Sequence, residues 1–186
     1  MAEGPNTQDD RRRTLLACAK FSVEERLVVG ADGVERARQV IRHPGAVVIL
    51  PILESGLVFV RNKRVAVDAE LLELPAGTLE PGEDPVACAR RELEEETGYS
   101  CATIEPLCRF YTTPGMTDEL MWAYAASGLR EVGQRLEADE EIRVEVLSPH
   151  EAIRAIENGE LRDGKSMLTL LEALRRGMIA VEPGGA

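Results

Sequence analysis

An α/β protein, or an α+β protein with a mixed sheet, is what this sequence predicts, on three observations. Residues 46–53 (AVVILPIL) and 120–126 (LMWAYAA) are apolar almost throughout and too short for buried helices, as buried strands are. Residues 85–97 contain no helix breaker after their first position and carry a stop or start signal at each end. Strand-like stretches cluster on both sides of that helix, and two helical stretches close the chain.

Taken in order, residues 1–12 (MAEGPNTQDDRR) are polar with Gly and Pro, the composition of a disordered tail. Residues 14–19 and 21–29 read as extended segments. Asp32-Gly33 then signals a hairpin into a third strand over 34–42. This small antiparallel sheet, residues 13–42 as a unit, has little interior and must lean on another surface. His43-Pro44-Gly45 punctuates the chain before the strand at 46–53. Glu54-Ser55-Gly56 turns it into a second apolar strand at 57–61, and Arg61-Asn62-Lys63-Arg64 follows as a solvated loop or a phosphate contact.

Residues 70–75 lead to the turn dipeptide Pro81-Gly82. Asp84 then serves as N-cap with Pro85 in the first helical position, and Gly98 supplies the stop. Val86, Ala89 (or Arg90) and Leu93 recur at helical spacing as an apolar stripe. Beyond the helix come a strand at 102–111, a loop at 112–119 (TTPGMTDE) and the apolar strand at 120–126. A long acidic connection over 130–141, with Glu137, Asp139, Glu140 and Glu141, precedes a strand at 142–147. Ser148 caps a helix running through 156, with Glu151 in its first turn, and Asn158-Gly159 stops it. Asp163 or Ser166 opens a last helix to 176, with Met167, Leu168, Leu171 and Leu174 as its expected buried stripe.

Composition removes several classes of function. A net charge of −11 gives no attraction to a phosphate backbone, so nucleic acid is not an expected partner. Cys18, Cys88, Cys101 and Cys108 form no CxxC pair, and with only His43 and His150 neither a zinc site nor a histidine triad is expected. Reduced thiols in a cytoplasm follow. No stretch is apolar for long enough to span a bilayer, so no membrane partner is expected.

The helix at 85–97 carries a conflict. Glu92 and Glu96 stand four residues apart on one face with Glu95 on its shoulder, and like charges at that spacing repel by about 0.2–0.5 kcal/mol. Acids at a helix C-terminus also oppose the macrodipole. A hard divalent cation removes the conflict, since Mg²⁺ takes carboxylate oxygens together with phosphate oxygens. A generic acidic run is ordinarily a solvated face. The full spacing argues otherwise: Gly77, five residues, Glu83, seven residues, Arg91-Glu92-Leu93, one residue, Glu95-Glu96, one residue, Gly98.

That pattern resembles the Nudix box, with Tyr99 in a closing position that is usually aliphatic. The segments at 42–47 (RHPGAV), 73–77 (ELPAG) and 111–115 (YTTPG) resemble the ADP-ribose pyrophosphatase branch of the family, and the likeness covers residues 34–157. It implies the Nudix fold, a mixed sheet sandwiched between helices, with a hydrolase domain over 43–181. It also implies an extra N-terminal antiparallel sheet, 13–42, exchanged between the subunits of a homodimer.

Carried over residue by residue, Glu92, Glu95 and Glu96 would ligate Mg²⁺ (or Mn²⁺) with the carbonyl of Ala76. Glu83 would complete or support that shell, and Arg91 would pair with Glu83. The catalytic base would lie on the acidic loop, at Glu140 or its neighbour Glu141. Arg61, Arg64, Gly115 and Glu119 are the implied substrate contacts, although Asn62-Lys63-Arg64 stands where the branch has Gln-aromatic-Arg. The implied reaction is hydrolysis of a nucleoside diphosphate linked to another moiety. ADP-ribose, giving AMP and ribose 5-phosphate, is favoured over other ADP-sugars or nucleotides. A non-catalytic nucleotide-sensing module is the alternative from another class, and the complete set of box carboxylates argues for catalysis.

Overall fold

A computed structural model describes residues 12–136 and 141–181. It divides into two compact units, the first made of residues 12–45 with 111–120 and the second of 46–110 with 121–181.

In the first unit, β1 (Arg12–Ala17), β2 (Ser22–Val29) and β3 (Glu35–Arg42) form an antiparallel sheet in sequential order. The hairpin between β2 and β3 closes where expected, with Gly33 at φ 76° and the Asp32 carboxylate accepting the Val34 N–H at 3.1 Å. The segment 111–120 returns to β3, where Ile41 N donates to Met116 O at 2.8 Å and Arg42 Nη1 to Asp118 Oδ2 at 2.6 Å. β1 is exposed along its whole length, and Leu15, Leu16, Leu27, Val28 and Val29 are all exposed. The thin interior read from the sequence is therefore observed.

The second unit contains β4 (Ala46–Leu53), β5 (Gly56–Arg64), β6 (Ala69–Glu73), β7 (Ala76–Thr78), α1 (Pro85–Thr97), β8 (Tyr99–Tyr111), β9 (Leu120–Glu131), β10 (Ile142–Leu147), α2 (Pro149–Glu157) and α3 (Gly164–Arg175). The strands make one sheet in the order β10-β5-β4-β9-β8, with β6 added to β5 and β7 to β4. It is mixed: β4 runs parallel to β9, whereas β10 and β6 are antiparallel to β5 and β7 to β4. β4 lies at the centre, and its alternation feeds two cores. Val48 and Leu50 join Phe59, Leu72, Leu74, Leu170 and Ala173 on the α2/α3 side. Val47 and Ile49 join Leu79, Cys88, Ala89, Leu93 and Tyr124 on the α1 side. Helices therefore cover both faces of a mixed sheet, as expected. Among the described residues no helix is long and apolar enough to cross a membrane.

Local signals set the helix ends. Asp84 accepts from Val86 N (2.9 Å) and Ala87 N (3.2 Å), and Gly98 closes α1 at φ 74° with its N–H on Glu94 O. Ser148 and Glu151 form a reciprocal capping box at α2.

Three expectations are corrected. Arg61-Asn62-Lys63-Arg64 is no loop, because β6 and β10 supply ladder partners that carry β5 through Arg64. The fully buried face of α3 is Ser166, Thr169, Leu170 and Ala173; of the expected stripe Met167 and Leu174 are partly buried against the core, while Leu168 (41%) and Leu171 (46%) are exposed. The polar members of that face are satisfied in place, Ser166 Oγ accepting the Leu74 N–H at 2.7 Å and Thr169 Oγ1 donating to Lys165 O at 2.8 Å. On α1, Val86 is exposed and Cys88 takes its place in the core beside Ala89 and Leu93.

Candidate active site

The acidic face of α1 closes onto the short strand β7. Glu96 is 4% exposed, and its Oε2 accepts the Ala76 N–H at 3.0 Å. Glu92 lies over Gly77 so closely that a Cβ built there would sit 1.8 Å from its carboxyl carbon. Glycine at 77 therefore leaves the cradle that the Glu92 carboxylate fills. Two acids from successive turns of α1 thus meet two successive backbone units, Ala76 and Gly77, on the strand beside them.

Arg91 organises the rest. Its Nε and Nη2 grip Glu83 in a bidentate pair (2.9 and 3.0 Å), while Nη1 donates to Glu92 Oε1 (2.7 Å) and Glu95 Oε2 (3.0 Å). One cation therefore ties the loop before α1 to the helix and offsets the acid crowding. The guanidinium holds the Glu83 carboxyl far down, at about 2, against the opposing effect of burial.

The ligands that the family resemblance implies, Glu92, Glu95, Glu96 and the Ala76 carbonyl, would offer only hard oxygen, which suits a cation of the magnesium, manganese or calcium kind better than zinc or copper. The cradle at Gly77 and the approach of Glu96 to Ala76 fit such an ion. Among the described residues no three acids, cysteines or histidines are already gathered as a metal cluster. In this structure Arg91 supplies the positive charge among them.

The other candidate residues are distributed as follows. Arg64 forms a bidentate pair with Glu73 (2.8 and 2.6 Å), and Arg61 pairs with Glu145 (2.7 Å) and with Glu160. Glu141 is exposed and, with Lys63, Asp68, Glu70, Leu136 and Arg143, lines a cavity of about 360 Å³. Glu140, Asp139 and Glu137 lie outside the described residues. Gly115 and Glu119 belong to the first unit, where Glu119 Oε2 accepts from Thr112 Oγ1 at 2.5 Å.

Sequence reasoning missed Glu73, which is 1% exposed, and its second partner Lys165, 2.5 Å away on α3. The one available signal was an acid wedged between Leu72 and Leu74, in a stretch otherwise destined for the core. Burial raises the Glu73 carboxyl, but Arg64 and Lys165 outweigh it and hold the carboxyl below its ordinary 4.5. A folded value below the unfolded one means that its stabilising contribution is complete above about 4.5 and is lost as pH falls through the folded value. Glu73→Gln is expected to cost about 2 kcal/mol near neutral pH, less than a fully buried pair because Arg64 is 40% exposed. Urea unfolding of both proteins from about pH 7 to about pH 3 should show their stabilities converging toward acid. Curves that stay parallel would remove Glu73 from the account.

A family model described as NUDIX domain matches residues 42–170. The chain belongs to the Nudix family. Similar proteins include one of Bacillus methanolicus named methanol dehydrogenase activator, 40% identical over 152 residues, covering 77% of this chain and 82% of that one. An ADP-ribose pyrophosphatase of Bacillus subtilis is 36% identical over 152 residues, with the same two coverages. A GDP-mannose pyrophosphatase of Salmonella typhimurium is 34% identical over 158 residues, covering 75% and 82%. Among solved structures, an ADP compounds hydrolase superposes with a TM-score of 0.79 over 90% of this chain and 92% of its own, at 21% identity, a likeness of fold. This chain is a Nudix hydrolase, of the class that cleaves nucleoside diphosphates linked to another moiety with the help of a divalent metal ion.

Proposed function

We propose that this Nudix hydrolase cleaves ADP-ribose to AMP and ribose 5-phosphate, with Mg²⁺ as its metal and Mn²⁺ as a substitute. The observation that carries the reading is the closure of Glu92 and Glu96 onto Ala76 and Gly77. That closure stands beside the likeness to ADP-ribose pyrophosphatases and the flanking segments at 42–47, 73–77 and 111–115. Glu92, Glu95, Glu96 and the Ala76 carbonyl would hold the metal, with Glu83 in support. When bound, the ion neutralises diphosphate charge and acidifies a water. Arg91 keeps the loop and helix acids in register. Arg64 and Arg61 would receive the substrate, and Glu140 or Glu141 would accept the proton of the attacking water.

A panel of ADP-ribose, GDP-mannose, other ADP-sugars and nucleoside triphosphates, assayed with Mg²⁺ and with Mn²⁺, tests the reading. ADP-ribose should give the highest kcat/KM and yield AMP. A higher value for GDP-mannose, or products split elsewhere, would replace it.

A general base acts at one geometry, so Glu140→Gln should lower kcat by about 10²-fold with KM little changed. Glu141→Gln should be mild, and the reverse order would move the base by one residue.

The exposed apolar residues of the N-terminal sheet support a homodimer in which that sheet packs on a second subunit. Sedimentation should show dimers, and removal of residues 1–42 should give inactive monomers or aggregates. An active monomeric truncation would overturn the assembly. The acid charge supports the absence of a nucleic-acid partner, and the free thiols of Cys18, Cys88, Cys101 and Cys108 support a cytoplasmic location.

A further inference from the structure

Beneath Arg64 lies a chain of charges that the box does not require. Both oxygens of the buried Glu73 are engaged: Oε1 accepts from Arg64 Nε at 2.8 Å, and Oε2 from Arg64 Nη2 at 2.6 Å and Lys165 Nζ at 2.5 Å. Lys165 Nζ also lies 2.9 Å from Asp163 Oδ2. Asp163 caps α3 by accepting from Ser166 N (3.0 Å) and Ser166 Oγ (2.5 Å), and Ser166 Oγ in turn accepts the Leu74 N–H. The first turn of α3 therefore holds two consecutive residues of the chain, the side chain of Glu73 and the backbone of Leu74. Two residues further on, Ala76 meets Glu96.

Arg64 and Glu73 alone would balance in charge. Burying a second pair around them adds desolvation that apolar residues of the same size would avoid, so stability is a poor reason for it. Orientation is a better one. A carboxylate held only by Arg64 can turn about its side-chain torsions and carry the guanidinium with it. With Oε2 also pinned by Lys165, that freedom is gone. The pair uses Nε and Nη2, Nη1 takes no part in it, and 40% of the Arg64 side chain is exposed.

We propose that Lys165 is a positioning residue, which fixes Glu73 so that Glu73 presents the Arg64 guanidinium to an anionic oxygen of the diphosphate in one orientation. The inference rests on the reading of Arg64 as a substrate contact.

Lys165→Met keeps the length of the side chain and removes its charge. It is expected to raise KM for ADP-ribose about tenfold while kcat changes less than about threefold, the signature of lost substrate positioning. Lys165→Arg, which restores a cation, should recover most of that loss. In an Arg64→Ala background Lys165→Met should add nothing further, because both act through one contact. Lys165→Gln retains a donor and carries the same test if Lys165→Met does not fold. A variant that melts lower with KM unchanged would make the role structural only. Full additivity with Arg64→Ala would place Lys165 on another route. The Arg64 Nε–H resonance supplies a readout without turnover: its exchange with solvent should be faster in Lys165→Met than in the wild-type protein. Equal exchange overturns the positioning, whereas a wild-type protein that does not hydrolyse ADP-ribose overturns the substrate reading instead.

Discussion

Glu96→Gln is expected to lower kcat by about 10³-fold while the protein stays folded. Glutamine has nearly the same size and keeps a carbonyl oxygen for the Ala76 N–H, so the buried contact at 3.0 Å survives. The full negative charge that a hard cation needs is lost. Metal ions supply several kcal/mol to phosphate-transfer transition states, and about 1.4 kcal/mol corresponds to tenfold in rate. The change also relieves crowding among Glu92, Glu95 and Glu96 near the C-terminal end of α1, so the melting temperature should hold or rise slightly. Steady-state kinetics at saturating Mg²⁺, run beside thermal unfolding, check both halves. Near-normal turnover would show that Glu96 is not an essential ligand.

Gly77→Ala should be as damaging to turnover, about 10³-fold, by a different route. The Gly77 backbone does not require a left-handed conformation, so alanine brings no torsional strain there. Its Cβ would, however, stand 1.8 Å from the carboxyl carbon and 1.9 Å from Oε1 of Glu92. The side that yields is the far end of a flexible side chain, so the cost to the fold is modest, about 1 kcal/mol. The displaced Glu92 no longer reaches the backbone at Ala76-Gly77, and the metal loses a ligand position. A titration of activity against Mg²⁺ should shift to higher concentration while the melting temperature moves by a few degrees at most. An unshifted titration with full rate would mean that Glu92 is not needed where it sits.

Much of this was legible before any coordinates. Asp84, Pro85 and Gly98 bound α1 because capping is settled within a few residues, and the Ser148–Glu151 box bounds α2 for the same reason. Helical spacing was enough to place Glu92 and Glu96 on one face, and the resemblance to the Nudix box implied the pairing of Arg91 with Glu83 that the structure shows. Less was legible where partners come from far along the chain. Residues 61–64 lengthen β5 because strands near residues 70 and 142 present ladders to them. The buried face of α3 turns away from Leu168 and Leu171 because Ser166 meets the backbone of Leu74, 92 residues earlier.

The sequence by itself determined which acids share one face of α1 and where that helix begins and ends, for periodicity, capping and motif spacing are local. Only the tertiary structure decided what those residues close upon: the three-residue strand β7 under Glu92 and Glu96, and the Arg64–Glu73–Lys165 chain behind them. A buried charge must find its partner wherever the fold brings one, and that distance is not written in spacing.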